Sequence, residues 1–163
     1  MKKMITFLTI ALTTLLAFVS CANPTYSDKM IGVESKEVAF DIDESDDGNW
    51  TAKVGYGAEL ALNDDKALVI TSTGDWTQVA VKIDNPGATE VIVEYTSTGK
   101  VKFGFLTKTA NVWEGVIEGT DEYANPGRKL ERVLKIPDGA GYLTIGSAGD
   151  ATNKITVKSI IVE

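Results

Sequence analysis

Along most of the chain, apolar and polar positions alternate. In Val38–Asp43, Val38, Phe40 and Ile42 share one parity. In Trp76–Asp84, Val79, Val81 and Ile83 face one way, and Trp76, Gln78 and Lys82 the other. Glu90–Ser97 puts Val91, Val93 and Tyr95 on one side, and Val101, Phe103 and Phe105 repeat the pattern after Gly99-Lys100. A period of two marks a strand with one face buried. Ala67–Thr73, Val112–Glu118, Leu130–Ile136, Tyr142–Ile145 and Ile155–Val162 are further predicted strands. In the last, the parity slips after Val157, which predicts a bulge near Ser159.

Turn chemistry falls between these runs. Asn85-Pro86-Gly87 and Asn125-Pro126-Gly127 both fit a type II turn, with Pro at i+1 and Gly at i+2. Gly74-Asp75 and Pro137-Asp138-Gly139 are further turn signals. All 15 glycines lie beyond residue 20, and no window there carries a sustained helical stripe. No repeat of solenoid or propeller period is present. The pattern predicts an all-β fold over residues 37–163, an antiparallel β-sandwich (jelly roll) of about eight to ten strands.

One run breaks the alternation. Ile5–Val19 is uncharged and apolar throughout, after Lys2 and Lys3. That is the length of a signal-peptide core and short for a membrane span. Leu16-Ala17-Phe18-Val19-Ser20-Cys21 resembles the bacterial lipobox, with Phe18 in the apolar slot three before the cysteine and Ser20 in the small slot. The resemblance implies that residues 1–20 are a lipoprotein signal peptide and that Cys21 becomes an acylated N-terminus. Two or three acyl chains (palmitate among them) hold a protein on a membrane where one does so only marginally. The plainer alternative is an ordinary secretory signal with a chance cysteine. Residues 21–36 read as the lipidated end and a tether; a short first strand within them is left open. Ala22, rather than Asp, after the cysteine favours the outer membrane or cell surface.

Composition narrows the chemistry. The chain has no His and one Cys, which excludes His-based nucleophile machinery and His-ligated metal sites. Its net charge is -7, and residues 21–163, without Lys2 and Lys3, carry 14 Lys+Arg against 23 Asp+Glu. That balance argues against nucleic acid, whose binding rests on cationic contacts to phosphate. Paired carboxylates acting on a glycoside are the one enzymatic route left open. Among Glu90, Glu94, Glu114 and Glu118 no pair stands out. Glu114 and Glu118 share a parity but would lie about 13 Å apart on a regular strand, so no enzymatic activity is expected.

The run ALVITSTGDWTQVAVKIDNPGATEVIVEYTSTGKVKFGF, with Gly74, Trp76, Val79, Pro86 and Gly87, resembles the jelly-roll carbohydrate-binding modules and, more loosely, the galactose-binding-like sandwiches. The C-terminal ITVKSIIVE resembles their closing strand. It carries Lys158-Ser159 where the family often has an Asp-Asn pair associated with a structural calcium. The resemblance covers about Val38 to Glu163 and implies a non-catalytic module that binds a glycan. The alternative is a structural or adhesion lipoprotein that docks to a surface protein.

Sugars stack their C–H face on aromatic rings while polar side chains fix their hydroxyls. The candidate ligand residues are therefore Trp50, Trp76, Trp113 and Tyr123, with Gln78, Asn111 and Arg128 as hydroxyl partners and Glu114 nearby. For each aromatic, a structural role at the edge of the core is the competing reading. No cofactor is required. The acidic run around Asp41, Asp43 and Asp46 could offer oxygens to calcium, but it lacks the EF-hand pattern, and a solvated loop is the default.

Overall fold

A computed structural model describes residues 34–42, 50–107 and 114–163. Among the described residues there are eleven strands: β1 (Lys36–Glu37), β2 (Ala52–Tyr56), β3 (Ala58–Leu62), β4 (Leu68–Ser72), β5 (Gln78–Lys82), β6 (Glu90–Ser97), β7 (Val101–Leu106), β8 (Glu122–Ala124), β9 (Gly127–Lys135), β10 (Tyr142–Ser147) and β11 (Lys154–Val162). They form two antiparallel sheets. The first has the order β3-β4-β11-β6-β9, with β1 alongside β11; the second has the order β2-β5-β10-β7-β8. The alternation seen in the sequence thus resolves into a sandwich, as expected.

The core is the inward parity of both sheets. Leu68, Ile70, Val93, Tyr95, Val157 and Ile160 from the first sheet meet Val79, Val81, Phe103, Leu143 and Ile145 from the second. Each of these side chains stabilises the fold by roughly 1.5–3 kcal/mol through removal from water. Tyr95 and Phe103 meet edge to face, with centroids 5.3 Å apart at 71°. Burial pushes the Tyr95 phenol above its ordinary pKa of 10.0, and the nearby Arg132 offsets part of that. Arg132 donates from Nε and Nη2 to Glu122 Oε2 at 3.1 and 2.9 Å, an ion pair joining β9 of one sheet to β8 of the other.

The bulge falls where the sequence places it, between Val157 and Ser159. Asn85-Pro86-Gly87 makes its turn, with Gly87 at φ 86° and the Ala88 N–H donating to the Asn85 carbonyl at 3.1 Å. Pro137-Asp138-Gly139 does likewise, with Gly139 at φ 80°.

Other expectations are corrected. Asn125-Pro126-Gly127 makes no type II turn: Gly127 has no positive φ and opens β9 instead. Of the predicted strand Val38–Asp43, Asp43 lies outside the described residues, and 38–42 is not a paired strand. Val38, Phe40 and Ile42 do pack against the core, but the ladder reduces to one parallel bridge, Ile42 to Ala52. In the predicted strand Val112–Glu118, residues 112 and 113 lie outside the described residues, and 114–118 supplies one bridge, Val116 to Leu106. Ala52–Leu62 contributes two strands that the sequence did not announce.

Both ends of the described chain meet at one pole. Lys36 pairs with Val162, Ser35 Oγ donates to Glu163 Oε2 at 2.9 Å, and Lys36 Nζ donates to the Asp84 carbonyl at 2.8 Å. Among the described residues no helix is long and apolar enough to cross a membrane.

Candidate functional site

The outer face of the second sheet gathers the exposed aromatic side chains. In its register Tyr56 lies opposite Gln78, Gly146 opposite Lys102, and Lys102 opposite Tyr123. Val79 pairs with Ile145, so one further step sets Gln78 beside Gly146. The result is one row across all five strands: Tyr56, Gln78, Gly146, Lys102, Tyr123. Four strand spacings make it about 19 Å long. Trp76 stands two residues before Gln78, on the same parity, bridged to Ala148. Trp76 is 53% exposed, Tyr56 54% and Tyr123 45%. Rings that open to solvent are available for stacking in a way that core aromatics are not.

Two glycines shape the floor. A Cβ on Gly146 would lie 1.8 Å from the Thr77 carbonyl oxygen, so only glycine lets β10 approach β5 there. Beside this close approach is a recess of about 300 Å³ lined by Tyr56, Trp76, Thr77, Gln78, Lys102, Thr144 and Gly146. A Cβ on Gly104 would meet Asp121 Oδ1 at 2.9 Å and Thr144 Oγ1 at 3.0 Å. Its absence lets the Asp121 carboxylate lie over β7, where Oδ2 pairs with Lys102 Nζ at 2.8 Å. Gln78, Lys102, Asp121 and Thr144 thus put donors and acceptors between the rings, a mixture suited to reading hydroxyl groups.

The other end of the same face is filled. Ala80 and Leu106 are fully buried there, with Tyr142 packed against them. Trp50 stacks on Tyr142, with centroids 5.7 Å apart at 23°. Lys82 Nζ sits 4.4 Å and Lys53 Nζ 5.6 Å from the Trp50 centroid. Trp50 is 7% exposed, about 14 Å along the strands from the Gln78 row.

The sequence candidates therefore separate. Trp76, Gln78 and Tyr123 come together on one surface. Trp50 shares that face, but its ring is packed, which is the structural alternative raised for it. Arg128 is exposed on β9, in the opposite sheet. Trp113 and Asn111 lie outside the described residues, as do Asp43 and Asp46. Asp41 is exposed, and its main chain is engaged: the N–H donates to Thr51 Oγ1 at 2.5 Å, and the carbonyl accepts from the Thr51 and Ala52 N–H groups. Among the described residues no group of three or more acidic, Cys or His side chains could hold a metal ion.

Tyr56, Lys102, Asp121, Thr144 and Gly146 were not singled out by the sequence. Lys102 had a usable signal, as the polar position between Val101 and Phe103. Tyr56 had none, because Gly55 and Gly57 hide its strand.

No protein-family model and no curated protein sequence matches this chain. Solved structures do match. A mutant of the family 29 carbohydrate-binding module CBM29-2 superposes with a TM-score of 0.58 at 15% identity, covering 80% of this chain and 92% of that one. The low-affinity xylan-binding module CBM86 from Roseburia intestinalis gives 0.57 at 15%, covering 80% and 95%. Another CBM29-2 mutant, solved with mannohexaose, gives 0.56 at 18%, covering 80% and 92%. These likenesses establish the fold: the chain has the β-sandwich of carbohydrate-binding modules, as the sequence resemblance implied.

Proposed function

We propose that the protein binds carbohydrate without acting on it, through the open row on the second sheet. One observation carries this reading. Trp76, Tyr56 and Tyr123 stand exposed on one face, Tyr56 and Tyr123 at the two ends of the row and Trp76 beside it, with hydrogen-bonding side chains between them. The structural neighbours support it, being carbohydrate-binding modules by name. Binding would be by stacking at the two ends of the row, with Gln78, Asp121 and Lys102 fixing hydroxyls between them.

A glycan array probed with the wild-type protein and with Trp76→Ala and Tyr56→Ala tests it. Each ring beyond the area it buries is worth about 0.5–1.5 kcal/mol, so each variant should lose roughly threefold to tenfold in affinity with its melting temperature unchanged. Array binding that survives both substitutions at full strength would remove this face from the site. Turnover of a glycoside would overturn the non-catalytic reading. A clean negative array, with a protein partner recovered instead, would favour docking to a surface protein.

The same reading includes membrane attachment through Cys21 after removal of residues 1–20, with the domain displayed at the outer membrane or cell surface. The lipobox-like Leu16–Cys21 supports this. Metabolic labelling with a radioactive fatty acid should mark the wild type and not Cys21→Ser; equal labelling of both would exclude that attachment point.

A further inference from the structure

We infer that the glycan bound on this face is acidic, carrying a carboxylate or a sulfate ester; the inference rests on the glycan-binding reading above. At the outward strand positions of the second sheet every charged residue is a lysine: Lys53, Lys82 and Lys102. The chain as a whole has 23 Asp+Glu against 16 Lys+Arg, so the bias at these strand positions runs against the composition, with the Asp121 carboxylate over β7 the one acid described on the face. Lys53 and Lys82 are engaged at the Trp50 end. The cationic feature at the open row is a different one.

Lys100 and Lys102 share a parity and lie about 7 Å apart along the chain, both beside Tyr123. Lys102 is the cross-strand neighbour of Tyr123, and Lys100 Nζ sits over its ring, 5.0 Å from the centroid. The Lys100 main chain is fixed, since its carbonyl accepts from the Ala148 N–H at 3.1 Å and from Asn153 Nδ2 at 3.0 Å. Lys102 is balanced by Asp121. Lys100 has the π-face and no carboxylate among the described residues. A neutral sugar stacking on that face of Tyr123 must displace the ammonium and gives it nothing in return. An acidic sugar displaces it onto its own anionic group, exchanging a cation–π contact for a charge-assisted hydrogen bond. The row's Tyr123 end therefore discriminates by charge, and its Trp76–Tyr56 end by stacking alone.

The test is affinity electrophoresis or calorimetry on matched polymers. Polygalacturonate is compared with its methyl ester, and dextran sulfate with dextran. Exposed ion pairs set the expected preference at roughly 1.5-fold to fivefold for the charged member of at least one pair. Which pair shows it distinguishes carboxylate from sulfate. Lys100→Gln should abolish that preference from both sides, weakening binding of the charged member and, with no ammonium left to displace from Tyr123, binding the neutral member at least as well as the wild type does. Neutral polymers bound as well as, or better than, both charged ones would overturn the inference while sparing the glycan reading. A preference that survives Lys100→Gln would also overturn it. Failure to bind any glycan, on these polymers and on the array, would overturn both.

Discussion

Asn153 holds the turn that carries Lys100, and replacing it by alanine is the sharpest test of how this end of the sandwich is held. The side chain is fully buried. Its Oδ1 accepts from the Gly99 N–H at 2.7 Å and from Thr98 Oγ1 at 3.3 Å, and its Nδ2 donates to the Lys100 carbonyl at 3.0 Å. In Asn153→Ala the Gly99 N–H is left buried with no acceptor, which costs about 1–3 kcal/mol. The Lys100 carbonyl keeps its bond from Ala148, so losing its second donor adds only about 1 kcal/mol. The sum is about 2–4 kcal/mol, a large share of the 5–15 kcal/mol typical of a domain. Urea unfolding should show it as a shifted midpoint at constant slope, and heating as a fall of roughly 8–16 °C in Tm. Asn153→Asp is the control. It restores an acceptor for Gly99 but faces the Lys100 carbonyl with a second oxygen and buries a carboxyl, so it should be no more stable than the alanine variant. A loss below about 0.5 kcal/mol for alanine, or a fully stable Asp variant, would refute the account of the clamp.

Two further outcomes follow from packing and burial. Gly146→Ala forces a methyl group against the Thr77 carbonyl, and β5 and β10 must part where the Ser147 N–H donates to Thr77 Oγ1 at 2.6 Å; overpacking and a lost buried bond should together cost about 2–5 kcal/mol, read by urea unfolding, and near-wild-type stability would show that the strands can part freely. Because the Tyr95 pKa is raised, the folded state holds that proton more tightly than the unfolded chain does, so its contribution is intact below pH 10.0 and is lost as pH rises through the folded value; Tyr95→Phe should flatten the alkaline fall in stability, and an unchanged fall would place its cause elsewhere.

How much of this was legible can be argued residue by residue. Parity alone puts Trp76 on the solvated face, opposite to Val79 and Val81, and the structure sets it there. Gly146 shows the opposite limit. Its role depends on how near β5 comes to β10, a distance between segments far apart in sequence. Likewise, parity shows that Tyr123 and Gln78 can face outward, but only the strand order β2-β5-β10-β7-β8 puts them in one row. Trp50 looked equivalent to Trp76 as a tryptophan beside a polar turn. What separates them is Tyr142, Lys53 and Lys82 closing on one ring and not the other, a tertiary event with no local signature. Val38–Asp43 alternates as well as any true strand, yet 38–42 makes one isolated bridge and no ladder, because alternation reports burial on one side and not the presence of a neighbouring edge.

The meeting of both ends of the described chain at one pole gives the molecule a mechanical direction. The chain enters at Lys36 beside Asp84, at the end of the second sheet that Lys82 occupies. The open row crosses the opposite end, at Gln78. A polymer held in that row lies at right angles to the strands, and a pull between it and the entering chain runs along them. Strands loaded lengthwise share the strain over every rung at once, so the long ladders of β6, β9 and β11 act as the frame. The two-rung pairing of β1 with β11, with the bonds of Ser35 to Glu163 and Lys36 to Asp84, is the short splice that joins the entering chain to that frame.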